Sequence, residues 1–196
     1  MSLFPDGEGN TPLSADEEAD LIPNLATKGE LNEWERQNIL EAYAWALAPN
    51  NLRRHDPLVE SYVRDLHLRV FDQTWRWAGV YRTTEKNIGV PHHEIRERLA
   101  ALLGDARYWL EHGTYPPDEL SVRLHHRLVF IHPFANGNGR HARLIADVLV
   151  QRQDRPVLTW GGADLVRAGD FRRHYIDALQ TADAGDLGPL LAFARS

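Results

Sequence analysis

The sequence predicts an all-α protein carrying one small β-hairpin. Two observations lead there. Apolar residues recur at helical spacing in segment after segment, and prolines stand at the starts or stops of those segments. A third observation supplies the hairpin: a single stretch, Val80 to Val90, drops the helical period around a polar middle.

Residues 1–24, rich in Gly, Pro, Asp and Glu, read as an arm with a short acidic helix around SADEEADL. The expected division is an arm over 1–30 and a helical body over 31–196. In the body, Trp34, Ile39, Tyr43, Ala46 and Leu47 define a helix from Leu31 to Ala48, stopped by Pro49. Leu58, Tyr62, Leu66, Val70 and Phe71 define a second, from about Pro57 to Trp75. After the hairpin, Pro91 opens a helix whose Ile95, Leu99, Leu102 and Leu103 share a face. Leu120, Leu124, Leu128 and Ile131 mark the next, ended by Pro133. A further helix runs from Arg140 to about Gln153, and a final helical group from Asp164 to Arg195 is broken at ADAGDLGP. The six tryptophans read as packing residues, with Trp160 a candidate pocket rim.

Composition narrows the function. A length of 196 residues suits one compact domain, and 43% hydrophobic residues suit a globular one. A formal charge of −6 gives no broad cationic field for nucleic acid. The absence of cysteine removes disulfides and thiolate metal sites and favours the cytoplasm, and no stretch is apolar enough to span a membrane.

The chemistry concentrates in FIHPFANGNGRHAR, residues 130–143. Gly137, Asn138 and Gly139 form a glycine-rich loop leading into a helix, which is the makings of an anion site. Arg140 and Arg143, three residues apart in the first turns, can hold phosphate oxygens. His132, just before the loop, is a candidate general base toward a hydroxyl nucleophile. His125, His126, His132 and His141 also admit a metal-dependent nuclease, but adjacent His125 and His126 cannot share a helical face and no HExxH occurs.

The run HPFANGNGRHAR resembles the Fic family signature, matching it at His132, Phe134, Gly137, Asn138, Gly139, Arg140 and Arg143. WAGVYR and YRTTEKNIGVP are similar to the Fic core as well, and the arm through NEWE is similar to a subgroup termed mobile mystery protein B. The resemblance implies a Fic-type helical bundle that transfers a nucleoside monophosphate, usually AMP from ATP, to a Ser, Thr or Tyr hydroxyl of a target protein. It implies that His132 is the base, Phe134 the loop's core anchor, Gly137 to Gly139 the anion hole, and Arg140 with Arg143 the phosphate ligands. It also implies that the hairpin is a flap aligning the target by strand addition, with Thr83, Thr84, Asn87 and Ile88 on it.

Asn136 departs from the signature, replacing the acidic ligand of Mg²⁺ with a neutral carbonyl and so weakening metal binding. That substitution leaves room for a nucleotide-binding relative without turnover. A Doc-type phosphotransferase is a further alternative, although Doc-like motifs carry Lys where this chain has Gly139. The resemblance also suggests an inhibitory glutamate facing Arg143; Ser14 to Glu18 is the nearest match, with Glu18 in that role and Ala19 breaking the pattern. A homo-oligomer is compatible with all of this.

Overall fold

A computed structural model describes residues 12–25, 27–162 and 168–196. Its helices in chain order are α1 (Ala15–Ala19), α2 (Lys28–Ala46), α3 (Pro49–Arg54), α4 (Glu60–Phe71), α5 (Ile95–His112), α6 (Pro117–Ile131), α7 (Asn138–Gln151), α8 (Ala168–Asp183) and α9 (Gly188–Arg195), with a 3₁₀ turn at His92–Glu94 before α5. The all-α class holds.

Local chemistry places the boundaries. Thr27 caps α2 in a reciprocal box with Glu30, so the helix begins three residues before Leu31. Pro49 ends α2 as expected and also opens α3, a helix the sequence reading did not anticipate. Asp56 accepts a bond from the Leu58 amide at 2.9 Å, an Asx turn that delays α4 to Glu60. Gly113, left-handed at φ 59°, closes α5. Of the final helical group, residues 163–167 lie outside the described residues, as do 1–11 of the arm.

α7 is the centre of the molecule. Leu144, Ile145, Val148 and Leu149 join the main core with α2, α4, α5 and α6. Ala146 and Val150 join a second cluster with Val122, Leu158, Trp160 and residues of α8 and α9. A helix buried on two opposite sides must be apolar nearly all round, and its polar exceptions therefore have specific partners. Asp147, 2% exposed, accepts bonds from Trp160 Nε1 at 2.9 Å and the Leu158 amide at 3.2 Å. Trp160 is thus a core residue rather than a pocket rim. Trp34, by contrast, is 44% exposed, with its indole N–H donating to the Gln73 carbonyl.

The expected hairpin is not formed. Among the described residues the β pairing consists of two isolated bridges, Leu21 with Trp75 and Tyr81 with Phe134. The limbs of the 80–90 loop bond to the α6–α7 junction instead of to each other: Arg82 N donates to Pro133 O at 3.0 Å and Val90 N to Ile131 O at 3.4 Å. Arg82 also fills the space between the limbs. Its guanidinium donates to the carbonyls of His132 (2.7 Å), Thr84 (2.8 Å) and Val90, doing from a side chain what a ladder would have done.

The described part of the arm is strapped to residues 74–77 and to this loop. Ile22 N donates to Thr74 O, Arg76 N to Asp20 O, and Trp77 Nε1 to Glu17 O. Glu17 also accepts from Lys86 Nζ at 2.5 Å and from the Thr84 hydroxyl at 3.2 Å. No described helix is long and apolar enough to cross a membrane.

Candidate active site

His132 terminates α6 in a left-handed conformation, φ 55°, and Pro133 prevents the helix from continuing. The chain then dives into the core at Phe134, which is fully buried. Asn138 locks that dive. Its side chain accepts from the Phe134 amide at 3.0 Å and donates to the Phe134 carbonyl at 2.8 Å, bracing the loop. Its backbone still stands at the first position of α7, where N–H groups have no intrahelical acceptor and the helix dipole favours anions.

A buried histidine finishes the support. His67 stacks on Phe134 with ring centroids 3.6 Å apart and planes 17° apart. The Gly79 amide donates to its Nδ1 at 3.0 Å, which assigns the proton to Nε2, and that N–H donates to the Asn136 carbonyl at 3.1 Å. Burial, with the charge of His141 next, holds the His67 pKa well below the usual histidine value, so the ring is neutral.

Gly137 makes the sharp turn into α7 at φ 77°. A Cβ there would fall 2.3 Å from two atoms of the Phe71 ring. We expect Gly137→Ala to destabilise the protein by about 3 kcal/mol, from left-handed strain and overpacking together. A thermal melt superimposing on wild type would show that the turn is not so confined.

The two arginines diverge to flank the start of α7. Arg140 pairs with Glu35 of α2 at 2.6 Å and lies 4.8 Å over the Phe71 ring. Glu35 also accepts from Trp75 Nε1 at 3.0 Å. Arg143 lies 5.2 Å from the ring centroid of Tyr175 on α8, whose hydroxyl bonds His125 Nε2 at 3.0 Å. Gly139 sits beneath the same tyrosine, its Cβ position 3.2 Å from the hydroxyl.

His132 is 5% exposed, and burial, with Arg82 next, lowers its pKa to about 4. The imidazole is neutral at physiological pH and able to accept a proton. Its carbonyl is held by Arg82, so base and loop share one anchor.

Asn136 is a poor metal ligand as placed. Its Oδ1 accepts from the Gly137 amide at 2.6 Å, and the carboxylate brought to this region, Glu35, is committed to Arg140 and Trp75. Mg²⁺ takes hard oxygens in near-octahedral geometry, commonly with carboxylates among them, and these residues do not fit it. The nuclease reading also loses its cluster: His125 bonds Tyr175, His126 bonds Asp183 at 2.8 Å, and His141 bonds the Val63 carbonyl at 2.8 Å.

On the loop, Thr83, Asn87 and Ile88 face solvent, Ile88 at 45% exposure, while Thr84 is bonded to Glu17. Glu18 lies on α1 next to Glu17, which bonds the loop, and Arg143 lies against Tyr175. Sequence reasoning missed Glu35, His67, Arg82, Lys86 and Tyr175. Each acts on a partner far along the chain, 105 residues away for Glu35 and 69 for His67.

The Fic/DOC family model matches residues 57–150. Protein adenylyltransferase fic-1 of Caenorhabditis elegans is 29% identical over 145 residues, covering 72% of this chain and 27% of its own length. Protein adenylyltransferase Fic of Aedes aegypti is 26% identical over 191 residues, covering 95% of this chain and 37% of its own. The chain therefore spans well under half the length of these relatives. Among solved structures, Fic-1 (residues 134–508) from C. elegans has a TM-score of 0.66 at 25% identity, over 91% of this chain and 51% of that one. BepC of Bartonella tribocorum, with bound AMPPNP, has a TM-score of 0.65 over 93% of this chain and 97% of its own, a likeness of fold at 18% identity.

Proposed function

We propose, on the premise that residues 57–150 form a Fic/DOC family domain, that the chain transfers AMP from ATP to a Ser, Thr or Tyr hydroxyl of a target protein. The observation that carries this reading is the juxtaposition of a neutral, buried His132 with the N-terminal end of α7 and its two arginines. In the reaction, the target hydroxyl oxygen attacks the α-phosphorus while His132 takes the hydroxyl proton. A phosphodiester forms, the α–β anhydride bond breaks, and pyrophosphate leaves. Backbone N–H groups of Asn138 and Gly139 cradle the phosphates, joined by that of Gly137 once it leaves Asn136 Oδ1, and Arg140 and Arg143 stabilise the charge that grows on the leaving group. With no carboxylate at position 136, that charge falls to the arginines. The solvent-facing part of the loop, Thr83 and Asn87 to Ile88, aligns the target segment. The cysteine-free composition supports work in the cytoplasm.

Labelling with α-labelled and γ-labelled ATP in parallel tests the reading, using the purified chain alone and in lysate. Protein-bound label from the α position only is expected. Label from the γ position would replace it with Doc-type phosphotransfer, and no label despite nucleotide binding would leave a sensor module. Asn136→Asp should sharpen the response to Mg²⁺, raising apparent metal affinity by about tenfold. An identical metal titration in both proteins would mean residue 136 does not face the phosphates.

A further inference from the structure

We infer that Glu85, His92 and His93 form a binding site for a borderline divalent cation such as Zn²⁺, joining the 80–90 loop to the 3₁₀ turn that precedes α5. The ligand atoms of the three side chains lie within 4.8 Å of one another, and all three residues reach solvent. Among the described residues this is the one such grouping of His and acidic side chains. It shares no residue with the candidate active site.

The arrangement is already half drawn together. Glu85 Oε1 lies 2.6 Å from His92 Nδ1 and also accepts from the His92 amide at 3.2 Å. The rings of His92 and His93 stand edge to face at 87°, with centroids 5.7 Å apart. Two imidazoles bound to one tetrahedral Zn²⁺ through bonds of about 2.1 Å place their centroids about 5 Å apart, and neighbouring ligand atoms about 3.4 Å apart. Binding would draw the ligand atoms from their 4.8 Å spread to this spacing and open the Glu85–His92 contact, with water free to take the fourth position.

Donor chemistry selects the ion. Two imidazole nitrogens and one carboxylate suit Zn²⁺ and its neighbours, whereas Mg²⁺ and Ca²⁺ need mostly oxygen ligands. The opposing charge nearby is Arg82, whose Nη1 is 3.7 Å from Glu85 Oε2. That guanidinium is fully buried and turned toward backbone carbonyls, and it approaches the oxygen that does not face His92. The alternative is a plain Glu85–His92 hydrogen bond, which gives His93 only its edge-to-face contact with His92. Bound metal would fasten the middle of the loop to the body, so on the proposed function it would stiffen the surface that receives the target; metal binding itself does not depend on that reading.

Calorimetric titration of the whole purified chain with zinc chloride, beside magnesium chloride, tests the site. One Zn²⁺ per chain at micromolar concentration is expected, with no heat from Mg²⁺ in the same range. His93→Ala and Glu85→Gln should each weaken Zn²⁺ by about tenfold or more without changing the metal-free melting temperature. Zn²⁺ should also shield His92 and His93 from acylation by diethyl pyrocarbonate, as read by peptide mass. Undiminished Zn²⁺ binding in the His92→Ala, His93→Ala double variant, or no binding by wild type up to millimolar metal, overturns the assignment. These readouts do not involve nucleotide transfer, so failure here and failure of the proposed function are distinguishable.

Discussion

Substituting His132 is expected to cut AMP transfer by about 10²–10⁴-fold while leaving ATP binding near wild type, because a general base acts on the transition state rather than on nucleotide affinity. Alanine is not the cleanest probe. Position 132 is left-handed at φ 55°, where alanine adds strain of about 1 kcal/mol, whereas asparagine tolerates that conformation. His132→Asn therefore removes the base and spares the turn, and both variants should lose label incorporation to a similar degree. Since the imidazole pKa lies at about 4, the rate should be level through neutral pH and fall only as acid protonates the ring. Full labelling by the asparagine variant would remove His132 from the chemistry.

Acid should unfold the protein with unusual ease. His67, His125, His132 and His141 are buried histidines whose pKa values are all lowered, chiefly by burial, to about 4 for His132 and His141. In the unfolded chain each titrates near the ordinary histidine value of 6.5. As pH falls from there toward the folded value, the unfolded state binds protons that the folded state refuses, so stability present above pH 6.5 is lost on acidification. His132 and His141 alone account for about 3 kcal/mol each if fully expressed.

Asp147 pulls the other way. Burial raises its pKa to about 7, so in the same window the folded state holds a proton that the unfolded state lacks. One carboxyl opposes four histidines, and the net slope still favours neutral pH. Melting temperature followed from pH 8 to about 5 should peak near neutrality and drop steeply below about 6. A flat profile, or one rising toward acid, would contradict the burial of these rings as neutral groups.

The helices were legible because their signals are local. Apolar spacing located α6 nearly to the residue and α5 and α7 with their ends displaced, and HPFANGNGR spelled out a turn whose anchor, brace and glycine all lie within six positions. The loop from Val80 to Val90 was misread for the converse reason. Its alternating residues satisfy the strand pattern, but Arg82 and the carbonyls of residues 131–133 took the hydrogen bonds that strands would have exchanged. No short-range pattern announces that Glu35 will hold Arg140, or that Tyr175 will lie under Arg143, because nothing but the packed core brings α2 and α8 to opposite sides of α7.

The three carbonyl bonds of Arg82 bear on how this protein can vary. Positions 83 to 88 project from a collar tied at its neck by residues 82, 89 and 90, with Gly89 pressed so closely on His132 that a Cβ would meet it at 2.6 Å. Thr83 and Ile88 face solvent and can be exchanged without disturbing the bonds around His132, whereas Thr84 and Lys86 are held by Glu17. On the proposed function, recognition could drift from one target to another while the reacting centre stays as it is. Adaptive substitution should accumulate at 83 and 88 and stop abruptly at Arg82 and Gly89.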